Sequence, residues 1–416
     1  MKPRRVLVTA YSCEPGQGSE PGVGWNWVRQ IAQRFETTLI TRENNVEAIQ
    51  RAAREEGLDL EVYGYDLPAW ARFWKRGARG AIPYYYLWQL GLVRLARRLD
   101  RAQPFDLCHH LTFVSSVLPS GLSFLGRPFV WGPVGRHPEV PRAFLHSRTP
   151  VAPLLEWFKE RGKRTLRAID PLLARTVRKA DLILSLSSES ERDLPKQHES
   201  RTRTEPAIGV DTSRFTGPAP RSGRFEIVFS GRLVDLKGAR IALEACTRLA
   251  KQSCSEVHLR FVGDGPLRSL LAARAKELGV ESQVEFTGYV TPDQALEAMN
   301  QAHVLLFPSF EGAGMVVLEA MAAGAVVCCL NRGGPAFMVG ADRGIAVPCS
   351  SLDFEATVHE LSLALSRLEA DEAHRLLLAH RAFSWVSAEQ DWNRKGDRLG
   401  ALYQLAQETN TRRSAG

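Results

Sequence analysis

The chain has 416 residues, which predicts roughly two or three domains with a sizeable core and excludes a small disulfide-stapled scaffold. With 44% hydrophobic and 24% charged residues, the composition excludes disordered and collagenous classes. The seven cysteines stand at irregular spacings that fit neither a disulfide framework nor a zinc site, so we expect a cytoplasmic protein.

The net charge of +8 is concentrated in the first half of the chain. Residues 1–215 carry 33 Lys and Arg against 23 Asp and Glu, whereas residues 216–416 carry 21 against 23. Residues 70–101 hold eight basic residues and one acid, interleaved with Trp, Phe and Tyr. This mixture suits an element lying at an anionic membrane surface, with an ordinary structural role as the alternative. We expect no nucleic acid partner, because zinc-finger spacing, RNP-type aromatics and basic heptads are absent from the sequence.

Short apolar runs alternate with helical patterns along the whole chain, which is typical of parallel sheets with crossover helices. The predicted strands of the first half are 6–10, 38–41, 60–65, 107–111, 128–134 and 182–186. Those of the second half are 226–230, 257–262, 284–287, 304–308, 325–330 and 345–347. The fold class is therefore α/β, with two doubly wound Rossmann-like domains.

The segment GVDTSRFTGPAPRSGRF is rich in Gly, Pro, Ser and Thr, which indicates a linker at 212–223. We expect an N-terminal domain at 1–211 that binds the acceptor and a C-terminal domain at 224–385. A C-terminal helix at 386–416 should pack back on the N-terminal domain and end in a frayed tail. Because ligands bind beyond the carboxyl ends of parallel strands, the default site is the cleft where two such sheets face each other.

Three segments of the second half follow predicted strands with polar or glycine-rich turns. In GRLVDLKG, Arg232 and Lys237 offer two cations suited to a diphosphate. In FVGDGP, Gly263 and Gly265 allow the backbone to approach a ligand closely, and after FTGYV the backbone of Val290 is available to a base edge. An ordinary strand-to-helix turn is the alternative for each of these segments.

The sequence HVLLFPSFEGAGMVVLEAMAAG carries the strongest indication of a site. A buried strand runs into a loop with Glu311, Gly312 and Gly314, and a helix then begins near Met315 and carries Glu319. A helix N-terminus beside glycines attracts phosphate, because its N–H groups lack partners and the helix dipole favours an anion. The carboxylates of Glu311 and Glu319 can then accept hydrogen bonds from the neutral hydroxyl groups of a sugar or a ribose.

These motifs, together with IGVDTSRF, resemble family 4 of the retaining glycosyltransferases, which have the GT-B fold, and the resemblance covers most of residues 205–350. It implies that Glu311 binds donor-sugar hydroxyls and that Glu319 holds the ribose. It also implies that the β-phosphate is held by backbone amides of the segment 312–316, which includes Gly312, Gly314, Met315 and Val316. Arg232 and Lys237 would neutralise the diphosphate, and the base would contact the backbone near Val290.

The first half resembles the family less tightly. In SCEPGQGSEPGVGW, Gly22 and Gly24 follow the first strand and would bring backbone against the diphosphate, with a packing role as the alternative. Members of the family carry a functional histidine after the fifth strand, where this chain has Trp131, Gly132 and Pro133. His109 or His110 would take its place by contacting the sugar, unless both are structural. Glu14 and Glu20 are further candidates for acceptor hydroxyls.

The resemblance implies transfer of a sugar from a nucleoside diphosphate sugar to an acceptor hydroxyl, with retention at the anomeric carbon. We expect neither a cofactor nor a metal, because the sequence has no Asp-x-Asp pair at a strand end. The acceptor would be a glycan or a lipid-linked group in cell-surface polysaccharide or glycolipid synthesis, with a small natural product as the alternative. The competing functions are those of a nucleotide-sugar epimerase, a sugar phosphorylase and a nucleic-acid-binding protein. For the transferase, we expect the two domains to close on binding and exclude water from the site.

Overall fold

The computed structural model describes residues 4–75, 80–135, 140–145, 170–187, 191, 196–253, 255–349 and 353–415. The chain divides into two units. The first consists of Met1–Arg136, Val151–Ala207 and Trp392–Gly416, and the second of His137–Pro150 and Ile208–Asp391. The predicted linker at 212–223 lies in the second unit, where the guanidinium of Arg221 donates to the carbonyl oxygens of Ala323 and Gly324.

The first unit is built on one parallel sheet, which has seven strands within the described residues. The strands are β1 (Arg5–Ala10), β2 (Glu36–Thr41), β3 (Leu60–Gly64), β4 (Leu107–Thr112), β5 (Phe129–Val134), β6 (Leu182–Ser185) and β7 (Thr202–Thr204). Their spatial order is β3-β2-β1-β4-β5-β6-β7. The direction of winding therefore reverses between β1 and β4, and such a reversal leaves a crevice at the carboxyl ends of the strands.

Helices connect these strands and cover the sheet. They are α1 (Ser19–Ala32), α2 (Glu43–Glu55), α3 (Ala69–Arg72), α4 (Ala81–Ala102), α5 (Pro171–Lys179) and α13 (Trp392–Ala415). All six residues of β4 are buried, as are all six of β5. Fully buried strands are expected where helices cover both faces of a parallel sheet.

The second unit has the same organisation around a sheet of six described strands. The strands are β8 (Phe225–Ser230), β9 (Val257–Val262), β10 (Val284–Gly288), β11 (Val304–Phe307), β12 (Val326–Leu330) and β13 (Gly344–Val347). Their order is β10-β9-β8-β11-β12-β13, so the winding reverses between β8 and β11. The helices are α6 (Ala239–Ala250), α7 (Arg268–Leu278), α8 (Pro292–Gln301), α9 (Met315–Ala322), α10 (Gly333–Val339), α11 (Phe354–Ala370) and α12 (Glu372–Trp385).

The fold confirms the predicted class, and each predicted strand is present with its ends shifted by at most two residues. The edge strand β7 was missed, because its sequence, Thr-Arg-Thr, has no apolar run. The predicted helix start at Pro292 is confirmed, and Thr291 caps it in a reciprocal capping box with Gln294.

The C-terminal helix α13 belongs to the first unit, whereas the π-helical turn Val386–Gln390 before it belongs to the second. The rings of Trp27 and Trp392 make an edge-to-face contact with centroids 5.9 Å apart. The expectation of a frayed tail is wrong, because α13 continues to Ala415. Asn410 and Arg413 hold its last turns by bonding to the carboxylate of Asp181.

The aromatic side chains of the basic segment 70–101 differ in burial. Tyr84, Tyr85 and Trp88 are fully buried and belong to the core of the first unit. Trp70 and Phe73 are instead 78% and 77% exposed. Within the described part of the chain, no helix combines the length and the apolar character needed to cross a membrane.

Candidate functional site

Two loops of the second unit lie at the reversal point of its sheet. One follows β8 and contains a short 3₁₀ turn, Asp235–Lys237, before α6 begins at Ala239. The other follows the neighbouring strand β11 and leads into α9 at Met315. Because β8 and β11 are parallel neighbours, both loops leave the sheet at the same edge.

Lys237 and Glu311 meet where these loops approach each other. The Lys237 ammonium donates to the Glu311 carboxylate at 2.5 Å, and the two side chains are 21% and 19% exposed. Gly231 lies beneath the lysine, since a Cβ built on this glycine would stand 3.6 Å from the Lys237 Nζ. Arg232 is exposed, and its guanidinium forms no ion pair with a described residue. The structure thus brings two predicted site residues into contact and leaves a further cation beside them.

The strand-end glycines hold neighbouring loops together. The N–H of Gly263 donates to the Gly288 carbonyl at 3.1 Å, and the N–H of Gly231 donates to the Val262 carbonyl at 2.9 Å. Gly263 has φ +129°, and a Cβ there would lie 2.3 Å from the Gly231 carbonyl oxygen. Only glycine allows this approach. Since its N–H is already bonded, Gly263 shapes the site rather than offering that hydrogen to a ligand.

The N-terminus of α9 has no side-chain cap. Gly314 is the N-cap residue, and the N–H groups of Met315 and Val316 donate to no described residue. These are the N–H groups that a helix cannot bond internally, so they remain available to an anion. The backbone N–H of Val290 likewise has no partner among the described residues, and its role at a base stays a prediction.

Glu319 lies one turn further along α9 and is partly buried. Burial raises the pKa of its carboxyl, and the charge of Arg214 acts in the opposite direction. Arg214 is itself paired with Asp293 at 2.9 Å. The sequence motif IGVDTSRF contains Arg214, but nothing in the motif indicated that this cation acts on Glu319.

In the first unit, Gly22 and Gly24 lie inside α1 and are buried rather than at its start. A Cβ at Gly22 would lie 2.0 Å from the Gln17 carbonyl oxygen, and one at Gly24 would lie 2.2 Å from that of Ser12. Both glycines therefore pack the loop after β1 against the helix, and a contact with the diphosphate stays a prediction. Glu20 accepts a 2.6 Å hydrogen bond from the Val114 N–H, beyond the carboxyl end of β4.

His109 and His110 are structural in this fold, which corrects the expectation that one of them contacts the sugar. Both are fully buried. The ring of His109 bonds the Tyr403 hydroxyl at 2.8 Å and the Gly132 carbonyl at 2.7 Å. The ring of His110 bonds Thr9 and Tyr85. Because both nitrogens of each ring already have protein partners, neither ring offers one to a substrate. Residues 136–139, which follow β5 and include His137, lie outside the described residues.

The buried histidines predict a pH dependence of stability. Burial lowers the pKa of His109 to about 4 and that of His110 to about 3, from an ordinary value of 6.5. Between about pH 6.5 and pH 4 the unfolded chain binds protons that the folded chain does not, so the free energy of unfolding falls as the pH falls. We expect H109Q to flatten this dependence in thermal denaturation between pH 7.5 and 4.5, because glutamine does not titrate in this range. If H109Q keeps the parent's pH profile of stability, buried His109 is not a source of the pH dependence.

Within the described ranges, no group of three or more His, Cys, Asp or Glu side chains is placed to hold a metal ion. The expectation that no metal is required stays a prediction.

Comparisons with known proteins show which proteins this chain is similar to. Residues 213–381 match the family model for group 1 glycosyl transferases. The chain is 28% identical over 254 residues to a putative colanic acid biosynthesis glycosyltransferase, WcaL of Escherichia coli, covering 58% of this chain and 61% of the relative. It thus spans about three fifths of that relative's length. It is 30% identical over 319 residues to an MMP α-(1→4)-mannosyltransferase of Mycolicibacterium hassiacum, covering 71% of each.

Among solved structures, the chain resembles HepE of Anabaena in complex with UDP, with a TM-score of 0.61. The match covers 99% of this chain and 100% of that one at 17% identity, which shows a shared GT-B fold. The mannosyltransferase likeness and the family model, which spans both loops of the site, together show the family. The chain belongs to the group 1 glycosyltransferases.

Proposed function

We propose that this protein transfers a sugar from a nucleoside diphosphate sugar to an acceptor hydroxyl, with retention at the anomeric carbon, and that it is a member of family 4. The observation that carries the proposal is the contact between Lys237 and Glu311 at the reversal point of the second sheet. In a nucleotide sugar the diphosphate and the sugar hydroxyls are adjacent, so its site requires a cation for the one next to an acid for the other. Lys237 and Glu311 provide this arrangement.

The diphosphate would be held by positive charge and by N–H groups. Arg232 has no ion pair with a described residue, and Lys237 lies at the same loop. The N–H groups of Met315 and Val316 add the partial positive charge of a helix N-terminus. These groups stabilise negative charge as it develops on the departing diphosphate, which is the largest contribution that such a site makes to catalysis.

The carboxylates would hold the sugars attached to the diphosphate. Glu311 would accept from hydroxyls of the transferred sugar, and Glu319 from the ribose. Burial already disfavours the charged form of Glu319. Hydroxyl donors would therefore relieve the desolvation of this carboxylate when the donor binds.

Retention is proposed to follow from attack on the same face as the leaving group. The acceptor oxygen forms a bond to the anomeric carbon as the bond between that carbon and the diphosphate oxygen breaks. The departing diphosphate oxygen takes the proton of the acceptor hydroxyl. The step needs no enzymatic nucleophile. The protein orients both substrates and stabilises the leaving diphosphate.

The acceptor is proposed to belong to cell-surface polysaccharide or glycolipid synthesis. The name of the E. coli relative refers to colanic acid biosynthesis, which supports a glycan acceptor. The first unit also presents an apolar and basic surface, which we call the α3–α4 surface and define as Trp70, Phe73, Ile82, Leu87, Leu90, Arg94, Arg97, Arg98 and Arg101. Exposed apolar side chains beside arginines suit an anionic lipid interface, where a lipid-linked acceptor would be found.

The proposed function is tested by a donor screen followed by product analysis. A nucleotide sugar at 100 times its dissociation constant should add about 2.7 kcal/mol to the free energy of unfolding, which a thermal shift detects. Transfer from the stabilising donor to a hydroxylated acceptor should give a product with the donor's anomeric configuration by NMR. An inverted product would contradict retention, and a donor altered without any acceptor would indicate an epimerase instead.

Membrane binding by the α3–α4 surface has a separate test. We expect the protein to pellet with vesicles containing anionic lipid at low salt, and W70S/F73S to pellet much less, because both side chains are more than three quarters exposed. The matched control is L377S, which removes an exposed apolar side chain of the second unit. No pelleting of the parent with anionic vesicles would contradict this part of the proposal.

A further inference from the structure

The segment 140–145 follows β5 of the first unit in sequence but belongs to the second unit. A short 3₁₀ turn, Arg142–Phe144, follows Pro141 and presents Phe144 to the core of that unit. Phe144 is only 2% exposed. Val140 and Ala143 pack against the same core. The segment is thus anchored through one aromatic ring flanked by smaller apolar contacts.

The anchor ring lies against the residue that precedes Glu311. The rings of Phe144 and Phe310 make an edge-to-face contact with centroids 5.2 Å apart and planes at 61°. On another side, Phe144 contacts Phe354 at 5.7 Å. Phe310 is fully buried, and the guanidinium of Arg332 lies 5.8 Å from its ring centroid. The position of the Phe310 ring is therefore set by contacts that include Phe144.

Phe310 also joins the two loops of the candidate site. Its N–H donates to the Leu236 carbonyl at 2.9 Å, and the Ser309 hydroxyl donates to the same carbonyl at 3.3 Å. The Ser309 hydroxyl accepts in turn from the N–H of Glu311 at 3.2 Å. Leu236 and Phe310 each immediately precede one member of the Lys237–Glu311 pair. A shift of Phe310 would consequently change the geometry of that pair.

We infer that Phe144 is a positioning residue that acts through Phe310 on Glu311, so that segment 140–145 sets the geometry of the donor carboxylate; this rests on the proposed function. Protein interiors are close-packed, so removing the Phe144 ring leaves space into which Phe310 can move. A displacement of about 1 Å at a substrate-positioning group is enough to cost up to about 100-fold in rate. Phe144 touches neither substrate in this scheme.

The test compares F144A with F144L, which refills part of the space, and with F225A. Phe225 belongs to the same core and is 5% exposed, but it lies at the start of β8, away from the loops. We expect F144A to lower kcat/KM for the nucleotide sugar at least about tenfold at a temperature where all variants are folded, and F144L to restore much of it. F225A should lose comparable thermal stability while staying within about threefold of the parent activity.

A double-mutant cycle identifies the path of the effect. If Phe144 acts through Glu311, then F144A should reduce the residual activity of E311Q by less than about twofold. Fully multiplicative losses would overturn the inference, and so would equal losses of activity in F144A and F225A.

Amide hydrogen exchange separates this inference from the proposed function. Residues 309–314 should exchange faster in F144A but not in F225A, whether or not a donor has been found. If the parent transfers no sugar, the proposed function fails, and exchange at these residues alone decides the inference. Unchanged exchange in F144A would overturn it.

Discussion

Replacing Lys237 with methionine is expected to lower kcat/KM for the nucleotide sugar by about 100-fold, the usual cost of removing one group that stabilises developing charge. Methionine keeps most of the apolar stem, which lies over Gly231 with the ammonium 5.6 Å from the Phe307 ring centroid. The change therefore removes charge with little loss of packing. Steady-state kinetics with the donor found by thermal shift would measure the effect.

The K237M result needs a control for general loss of charge or stability. K276M removes an exposed lysine from α7 of the same unit. We expect this control to keep the parent rate. Because the two side chains of the Lys237–Glu311 pair are only 21% and 19% exposed, K237M leaves a largely buried carboxylate without its cation, so its thermal stability is measured beside that of K276M and the rates are compared where both are folded. A K237M protein that transfers sugar within about twofold of the parent would contradict the diphosphate assignment.

Replacing Glu311 with glutamine is expected to reduce transfer at least about tenfold while the protein stays folded. Glutamine has nearly the same shape, and its carbonyl oxygen can still accept from Lys237. It lacks the negative charge that strengthens hydrogen bonds from sugar hydroxyls. The loss should therefore appear with the nucleotide sugar and much less in the binding of the nucleoside diphosphate alone, which calorimetry can compare.

The matched control for E311Q is E244Q. Glu244 is paired with Arg274 at 2.7 Å and is 23% exposed, close to the 19% of Glu311, but it lies on α6 outside the loops. Loss of activity in both variants would indicate a general effect of charge. If E311Q transfers sugar at the parent rate with every donor tried, Glu311 does not hold the sugar.

The sequence predicted the sheets well because a parallel strand covered on both faces must be a short apolar run. The strand β7 is polar and lies at a sheet edge, so it left no such signal. The sequence could predict that Lys237 and Glu311 lie near each other, since both residues follow strands that end at the same edge of the sheet. Their direct contact was not predictable, because it depends on the conformation of two loops 74 positions apart.

Other parts of the site depend on contacts that sequence spacing does not encode. The sequence placed His109 near a strand end and left a sugar contact and a structural role both open, whereas in the structure Tyr403 of α13 bonds its ring from 294 positions away. Sequence spacing does not single out Phe144, because its neighbours Phe310 and Phe354 are far along the chain. In the segment 70–101 the aromatic pattern was visible, but its division into buried Tyr84, Tyr85 and Trp88 and exposed Trp70 and Phe73 required the packing of α4.

The most direct test of the central claim is isothermal titration calorimetry of the full chain with UDP, GDP, ADP and TDP and their sugar conjugates. We predict saturable heat with the compounds of at least one base, weakened in K237M because a diphosphate contact is lost. The absence of heat with every one of these compounds would contradict the claim that Lys237, Arg232 and the start of α9 form a nucleoside diphosphate site.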